Sequence, residues 1–170
     1  MGHPVPHLVD LRRIREEDWA TYRALRLQML QESPLAFASP DESRRDLPDS
    51  WWQDRTSEGA RSPEEAMWIA TVEGVAVDMV AVSRRTPEVR IFSMWVHPEH
   101  RGNGIGGRLL HMALAWAQGQ GPRIPVLLDV HPRQRAALHM YRKKGFRLTG
   151  KQEPLPHTRG EVAVEMRWMP

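Results

Sequence analysis

Apolar residues recur along this chain at two spacings, and each spacing predicts one type of element. Alternating or short continuous apolar runs predict strands, whereas apolar residues three and four positions apart predict helices. The predicted strands cover residues 8–14, 67–72, 75–83, 89–96, 125–130, 146–149 and 161–168. The predicted helices cover residues 19–31, 49–57, 105–119 and 132–144.

The order of these elements predicts the class of fold. A strand and two helices are followed by three strands that tight turns connect, at Glu73-Gly74 and over residues 84–87. Such turns join antiparallel neighbours, and the largely apolar run 89–96 indicates a central strand. We therefore predict one α/β (α+β) domain over residues 1–170, with a mixed, mostly antiparallel sheet of about six or seven strands and about four flanking helices.

The segments between these elements differ in composition, and we predict a different conformation for each. Residues 33–48 contain three prolines among apolar and charged side chains, which predicts a long loop or a broken helix. Residues 58–65 are polar and are expected to form a mobile link, and residues 150–160 are expected to form a loop between the last two strands. His97-Pro98 and His131-Pro132 each follow a predicted strand and are interpreted as strand-end turns.

The composition is typical of a soluble globular protein and argues against several functions. Of 170 residues, 41% are hydrophobic, and neither a membrane-spanning run nor a signal peptide is predicted. Cysteine is absent, which excludes disulfides and thiolate catalysis and predicts a cytoplasmic location. The net charge of +3 is scattered and the eight histidines are dispersed, so we predict no nucleic-acid partner, no membrane partner and no metal site.

A glycine-rich stretch follows the central strand. Gly102, Gly104, Gly106 and Gly107 stand directly before and within the start of the predicted helix 105–119. Glycine permits positive φ and close approach of a ligand to the backbone, and the first N–H groups of a helix have no intrahelical partner. This arrangement predicts a binding site for phosphate or pyrophosphate.

Two nucleotide-binding motifs can be compared with this stretch. Residues 102–107 match G-x-G-x-x-G, and Asp129 stands near the distance of a ribose-binding acid, which would indicate an NAD(P)-dependent oxidoreductase. This interpretation is disfavoured because residues 98–101 separate the strand from the first glycine and because the strands upstream form hairpins. A Walker A loop is excluded, since no Lys-Ser or Lys-Thr pair follows the glycines.

Two separate segments resemble the GCN5-related N-acetyltransferase (GNAT) family. The first is Val96-His97-Pro98 followed by Arg101-Gly102-Asn103-Gly104-Ile105-Gly106, and the second is Ala137-Leu138-His139-Met140-Tyr141-Arg142-Lys143-Lys144-Gly145-Phe146. Two matches in the expected order are more specific than one glycine motif. The resemblance implies a GNAT fold, acetyl-CoA as co-substrate, an amine acceptor and, as is frequent in that family, a homodimer.

The resemblance also implies roles for individual residues. The loop amides would hold the pyrophosphate, the exposed backbone of the central strand would pair with the pantetheine arm, and an N–H near Val96 would stabilise the oxyanion. Tyr141 would be the catalytic residue, as the general acid for the leaving thiolate. Gln134 stands where the family often has a cofactor-contacting asparagine. The cofactor-binding residues predicted in this way are Met94, Trp95, Val96, Arg101, Gly102, Asn103, Gly104, Ile105, Gly106, Gly107, Arg108, Gln134 and Tyr141.

The acceptor side of the reaction is less determined by the sequence. An amine must lose its proton before it attacks, since its pKa lies above neutral pH, and Glu88, His97 and Asp129 are the candidate bases. The absence of cysteine favours direct attack over a covalent intermediate. The acceptor could be a small molecule, a peptide or a protein, and the loops 33–48 and 150–160 are expected to shape its pocket. A CoA-binding regulatory module without catalysis is the alternative, because no single base stands out.

Overall fold

The computed structural model describes residues 8–34, 44–156 and 158–170. The strands are β1 (Val9–Arg13), β2 (Glu65–Val72), β3 (Val75–Arg85), β4 (Glu88–Val96), β5 (Val126–Val130), β6 (Phe146–Pro154) and β7 (Val162–Trp168). The α-helices of the described residues are α1 (Trp19–Glu32), α2 (Asp49–Arg61), α3 (Ile105–Gln118) and α4 (Arg135–Lys143). Short 3₁₀ helices cover Glu16–Asp18 and Pro98–His100.

The seven strands form one sheet in the order β1-β2-β3-β4-β5-β7-β6. All neighbouring strands are antiparallel except β4 and β5, which are parallel. The crossover between these two strands contains α3, as a parallel connection requires. The predicted mixed, mostly antiparallel sheet is confirmed, and so is the central position of β4.

Helices bury apolar surface on both faces of the sheet. On one face, Leu109 and Ala113 of α3 pack on Val80 and Val82 of β3 and on Ile91 of β4. The opposite face of β2, β3 and β4 lies against α1 and α2; the residues that form this second cluster include Tyr22, Leu25, Met29, Trp52, Met67, Ile69, Met79, Ala81 and Trp95. Within the described residues, no helix is long and apolar enough to cross a membrane.

Two helix boundaries differ from the prediction. The mobile link expected over residues 58–65 is wrong, because α2 continues to Arg61 and β2 begins at Glu65. Gly59 lies so close to β2 that a Cβ would stand 2.7 Å from Cγ of Met67, so this polar turn is held against the core. Helix α4 begins at Arg135 rather than at 132, since residues 132–134 form a turn.

The last hairpin also differs from the prediction. Strand β6 extends to Pro154, so the loop that joins it to β7 is shorter than the expected 150–160. Its side chains are exposed after Phe146, which removes the apolar alternation on which a strand prediction depends. Most of the predicted loop 33–48 lies outside the described residues.

The central strands separate partway along their length. β4 and β5 are paired at Val89↔Val126 and Arg90↔Leu127, and no further pair joins them in the described part of the chain. β5 instead continues along β7, where Leu127 to Val130 are paired. A slot therefore opens between residues 91–96 of β4 and residues 128–130 of β5.

A bulge in β4 lies at the start of this slot. The register with β3 passes from Ala81↔Phe92 to Met79↔Trp95, so Ser93 and Met94 both face Val80. Ser93 has φ of 50°, in the left-handed region. A bulge bends a strand and increases its twist, which turns the end of β4 away from β5.

Candidate active site

The end of β4 forms one wall of the slot. The Trp95 ring is 3% exposed, lies in the core beneath α1, and donates from Nε1 to Glu32 Oε2 at 2.8 Å. Its ring therefore contributes to packing, whereas the backbone of residues 94–96 borders the unpaired side of the strand. The predicted pairing of this backbone with a pantetheine arm stays a prediction.

Arg101 connects the end of β4 to the end of α1. Its Nε donates to the Val96 carbonyl at 2.9 Å, and its Nη2 donates to Glu32 Oε2 at 3.0 Å. Burial alone raises the pKa of Glu32, but hydrogen bonds from Ser33, Trp95 and Arg101 outweigh it, and the pKa lies below its usual value. Arg101 thus has a structural contact beside the pyrophosphate role predicted for it.

The glycine loop takes the conformation that the sequence predicts. Gly102 and Gly104 have φ of 84° and 80°, and a Cβ at either position would meet no atom within 4 Å. Their requirement for glycine is therefore conformational, and the loop is open on that side. Gly104 is the N-cap of α3, so the amides of the first turn, beginning at Ile105, have no intrahelical acceptor. Asn103 lies exposed between the two glycines.

Gly106 and Gly107 have different surroundings. A Cβ on Gly106 would stand 3.1 Å from Sδ of Met140 and 3.3 Å from Cγ2 of Val96. Its missing side chain lets the first turn of α3 pack against both β4 and α4. A Cβ on Gly107 would meet nothing within 4 Å, so this face of the turn is open to a ligand.

A basic groove of about 560 Å³ adjoins the open face. The residues that line it are Leu11, Gly104, Gly107, Arg108, His111, Met112 and Lys144. Arg108, one of the predicted cofactor-binding residues, lines this groove beside the amino end of α3. Lys144 is not among the predicted site residues, because its approach to α3 depends on how the two helices pack.

Helix α4 carries the predicted catalytic residue into the core. Tyr141 is 6% exposed and its ring packs edge-to-face on Phe146, with 5.8 Å between ring centroids. Burial raises the pKa of Tyr141 above its usual value, so the phenol keeps the proton that a general acid needs. Gln134 precedes α4, and its carbonyl accepts from the Leu138 N–H at 3.0 Å.

Both strands that frame the slot end in the same kind of turn. Nδ1 of His97 accepts from the Glu99 N–H at 3.2 Å, and Nδ1 of His131 accepts from the Arg133 N–H at 3.1 Å. His131 Nε2 also lies 2.7 Å from Glu161 Oε2. These contacts confirm the predicted His-Pro turns, and they hold Nδ1 of each ring as an acceptor.

Two of the three candidate bases share one arginine. Arg90 donates to Glu88 at 2.7 Å, to Asp129 at 3.1 Å and to Glu165 at 2.7 Å. Burial raises the pKa of Asp129, and the Arg90 charge offsets only part of this effect. His97 lies at the other end of β4. Glu165 was missed, although a charge within the apolar run of the last strand was an available signal.

No described residues form a group of three or more histidine, cysteine or acidic side chains suited to a metal ion. The site consists instead of a slot between two strands, a glycine loop at its end, the amino end of α3 and a buried phenol on α4. Backbone amides and basic side chains of this kind bind phosphate groups.

Comparisons with known proteins agree with this geometry. The model of the Acetyltransferase (GNAT) family matches residues 11–146. N-alpha-acetyltransferase RimI of Mycobacterium tuberculosis is 36% identical over 98 residues, which cover 55% of this chain and 60% of that protein.

Solved structures match almost the whole chain. A GNAT-family acetyltransferase from Streptococcus pneumoniae has a TM-score of 0.78 at 23% identity, over 94% of this chain and 98% of that chain. The PaiA N-acetyltransferase from Thermoplasma acidophilum, solved in complex with coenzyme A, has a TM-score of 0.73 at 17% identity, over 96% and 99% of the two chains. At these identities the structures establish the fold, and with the family match over residues 11–146 they show that the chain belongs to the GNAT acetyltransferase family.

Proposed function

We propose that this protein transfers the acetyl group of acetyl-CoA to a primary amine by direct attack. The observation that carries this proposal is the slot between β4 and β5, whose β4 wall is followed in the chain by the glycine loop and the amino end of α3. A strand edge without a partner suits the amide groups of a pantetheine arm, and the helix end suits the pyrophosphate.

The donor would be held along the length of the slot. The amides of residues 102–107 bind the pyrophosphate, and Arg108 and Lys144 add positive charge in the adjoining groove. The backbone of residues 94–96 pairs with the pantetheine arm. An N–H of β4 near Val96 donates to the thioester oxygen as it becomes an oxyanion.

The reaction would proceed in two bond changes. A base takes one proton from the ammonium form of the acceptor, and the neutral amine nitrogen then attacks the thioester carbon, so that a C–N bond forms and the carbonyl oxygen becomes an oxyanion. The C–S bond then breaks, and the departing thiolate takes a proton from Tyr141 while the nitrogen loses its proton to a base. The products are the N-acetylated amine and CoA.

We assign the role of base to Asp129, acting directly or through one water. It lies on β5 at the slot, 38% of its side chain is exposed, and burial raises its pKa above that of an ordinary carboxyl. Glu88 is the alternative, since it shares Arg90 with Asp129. His97 is less suited because its Nδ1 already accepts a backbone N–H.

The test is release of CoA thiol from acetyl-CoA in the presence of a panel of amines. Peptides with a free α-amine come first, because one relative is an N-alpha-acetyltransferase. Lysine peptides, polyamines, amino acids and aminoglycosides complete the panel. We expect thiol release with at least one class, together with a matching acetylated product by mass spectrometry.

Calorimetry with acetyl-CoA, CoA and NADH would detect the results that contradict the proposed activity. Binding of CoA without turnover on any amine would indicate a binding module, and binding of NADH alone would indicate an oxidoreductase. No binding of acetyl-CoA at millimolar concentration would overturn the proposal. The cytoplasmic location, the homodimer and the single domain over residues 1–170 stay predictions from the sequence.

A further inference from the structure

A buried carboxylate lies beneath the segment that joins β4 to the glycine loop. Asp78 is in β3, directly across from Val96 at the end of β4, and its side chain is completely buried. Burial raises the pKa of Asp78. An ionisable group in such a position is costly unless its polar atoms have partners.

One oxygen of this carboxylate holds the connecting segment. Asp78 Oδ1 accepts the backbone N–H of His97 at 2.6 Å, immediately after the last residue of β4. The chain then passes through the 3₁₀ helix Pro98–His100 to reach Gly102. This one contact therefore connects β3 with the first residue of the segment that leads from β4 to the glycine loop.

The other polar atoms of the cluster lack partners. Asp78 Oδ2 and Nδ1 of His100 are buried without a hydrogen bond among the described residues, and His100 Nδ1 lies 3.9 Å from Asp78 Oδ1. The titratable side chains around the carboxyl are those of His97, His100 and Arg101, and Arg101 is itself paired with Glu32.

We propose that Asp78 is a positioning residue for acetyl-CoA binding, which sets the path from β4 to the glycine loop by holding the His97 amide. The inference rests on the proposed function, because it assumes that acetyl-CoA binds this loop. Asp78 itself touches no reacting atom. Its effect passes through the backbone of residues 97–101 to Gly102 and Gly104, whose amides bind the pyrophosphate.

The carboxyl-to-amide change separates geometry from charge. In Asp78→Asn the amide oxygen still accepts from the His97 N–H, whereas the negative charge is removed. In Asp78→Ala both the acceptor and most of the side-chain volume are lost, whereas Asp78→Val removes the acceptor but fills the space with a slightly larger side chain. Ser83→Ala is the matched control, since Ser83 is a buried polar residue at the far end of β3.

The experiment measures CoA affinity by calorimetry, steady-state kinetics and the thermal midpoint for each variant. We expect Asp78→Ala and Asp78→Val to weaken CoA binding about tenfold or more, because an unsatisfied buried N–H lets the segment move. KM for acetyl-CoA should rise by a similar factor while kcat changes less than threefold. Asp78→Asn and Ser83→Ala should bind CoA within about threefold of the wild type.

The outcomes distinguish the two proposals. If the wild type does not bind CoA, the proposed function fails. If the wild type binds CoA and the folded Asp78→Ala or Asp78→Val variant binds it equally well, only the positioning role is overturned. Where Asp78→Ala does not fold, Asp78→Val decides. If Asp78→Asn loses affinity as strongly as Asp78→Val, the charge rather than the hydrogen bond is what matters, and the inference is wrong.

Discussion

At the scale of single residues, burial shifts two pKa values in the same direction, with different consequences for the proposed reaction. Burial raises the pKa of the Tyr141 phenol and of the Asp129 carboxyl. The first shift keeps a proton available for donation, and the second makes a carboxylate a stronger base. In the proposed reaction, Tyr141 on α4 would supply the acid and Asp129 on β5 the base that amine acetylation requires.

Tyr141→Phe tests the acid. The substitution removes the hydroxyl but keeps the ring that packs on Phe146, so we expect kcat to fall roughly 10²-fold or more while CoA affinity and the thermal midpoint stay near the wild-type values. The measurement is steady-state kinetics beside calorimetry. Tyr22→Phe is the matched control, because Tyr22 is the other tyrosine and is 4% exposed within the second core cluster. Unchanged turnover in Tyr141→Phe would make Tyr141 a packing residue.

Asp129→Asn tests the base. A base must be deprotonated, so activity should fall as pH drops through the pKa of Asp129, at a higher pH than for an ordinary aspartate. The variant should lose roughly 10²-fold or more in kcat/KM and should lose this acidic limb of the pH profile.

The thermal midpoint of Asp129→Asn near neutral pH should not fall. A raised carboxyl pKa means that ionisation opposes folding, so stability is present below the unfolded pKa and is lost as pH rises.

Glu88→Gln is the control for this assignment, because Glu88 also pairs with Arg90. We expect it to keep the acidic limb and most of the activity. If Glu88→Gln lost activity and Asp129→Asn did not, the base would be Glu88.

At the scale of elements, the glycine loop combines three physical requirements. Gly104 supplies a left-handed residue at the start of α3, Gly106 permits close packing with Met140 and Val96, and Gly107 leaves an open face. The motif alone cannot separate these roles, because the three residues are identical in type. The packing of α3 against its neighbours separates them.

Alanine at Gly106 and at Gly107 forms a matched pair of variants. Gly106→Ala overpacks the junction and should lower stability by about 1–3 kcal/mol. Gly107→Ala adds a methyl group to an open helical turn and should raise stability by about 0.5–1 kcal/mol. If pyrophosphate approaches the backbone there, CoA affinity of Gly107→Ala should nevertheless fall. Chemical denaturation and calorimetry measure both quantities, and normal CoA affinity in Gly107→Ala would remove Gly107 from the binding site.

At the scale of the whole molecule, the order of elements and the conformation of the glycine loop could be predicted from the sequence, because the first depends on local periodicity and the second on glycine. The end of helix α2 beyond residue 57 and the outer half of β6 could not be predicted, because both consist of polar residues. Contact with Met67 holds the end of α2 in place, and pairing with β7 holds the outer half of β6. Asp78 and Glu165 acquire their partners, and Lys144 its place in the groove, only when distant strands and helices meet. A charged residue in an apolar run, as at Asp78 and Glu165, is the signal that such a partner exists.

The slot divides the sheet into two parts, and this division makes a prediction about ligand binding. Strands β1 to β4 lie on one side and β5 to β7 on the other, and β4 is paired with β5 at two positions. A ligand that lies in the slot and reaches the loop contacts elements of both parts. Acetyl-CoA at a hundredfold excess over its Kd should therefore stabilise the whole protein by about 2.7 kcal/mol, a rise of roughly 5–10 °C in thermal midpoint for a chain of this length.

Hydrogen exchange can test whether this stabilisation crosses the slot. If the pantetheine arm occupies it, acetyl-CoA should slow exchange at residues 94–107 and also at β5 and α4, because opening either part then requires release of the ligand. The matched probe is inorganic pyrophosphate, which can reach the glycine loop but cannot fill the slot and should protect residues 102–107 alone. Protection by acetyl-CoA confined to residues 102–107 would mean that the arm lies outside the slot, and the assignment of residues 94–96 to pantetheine binding would then be wrong.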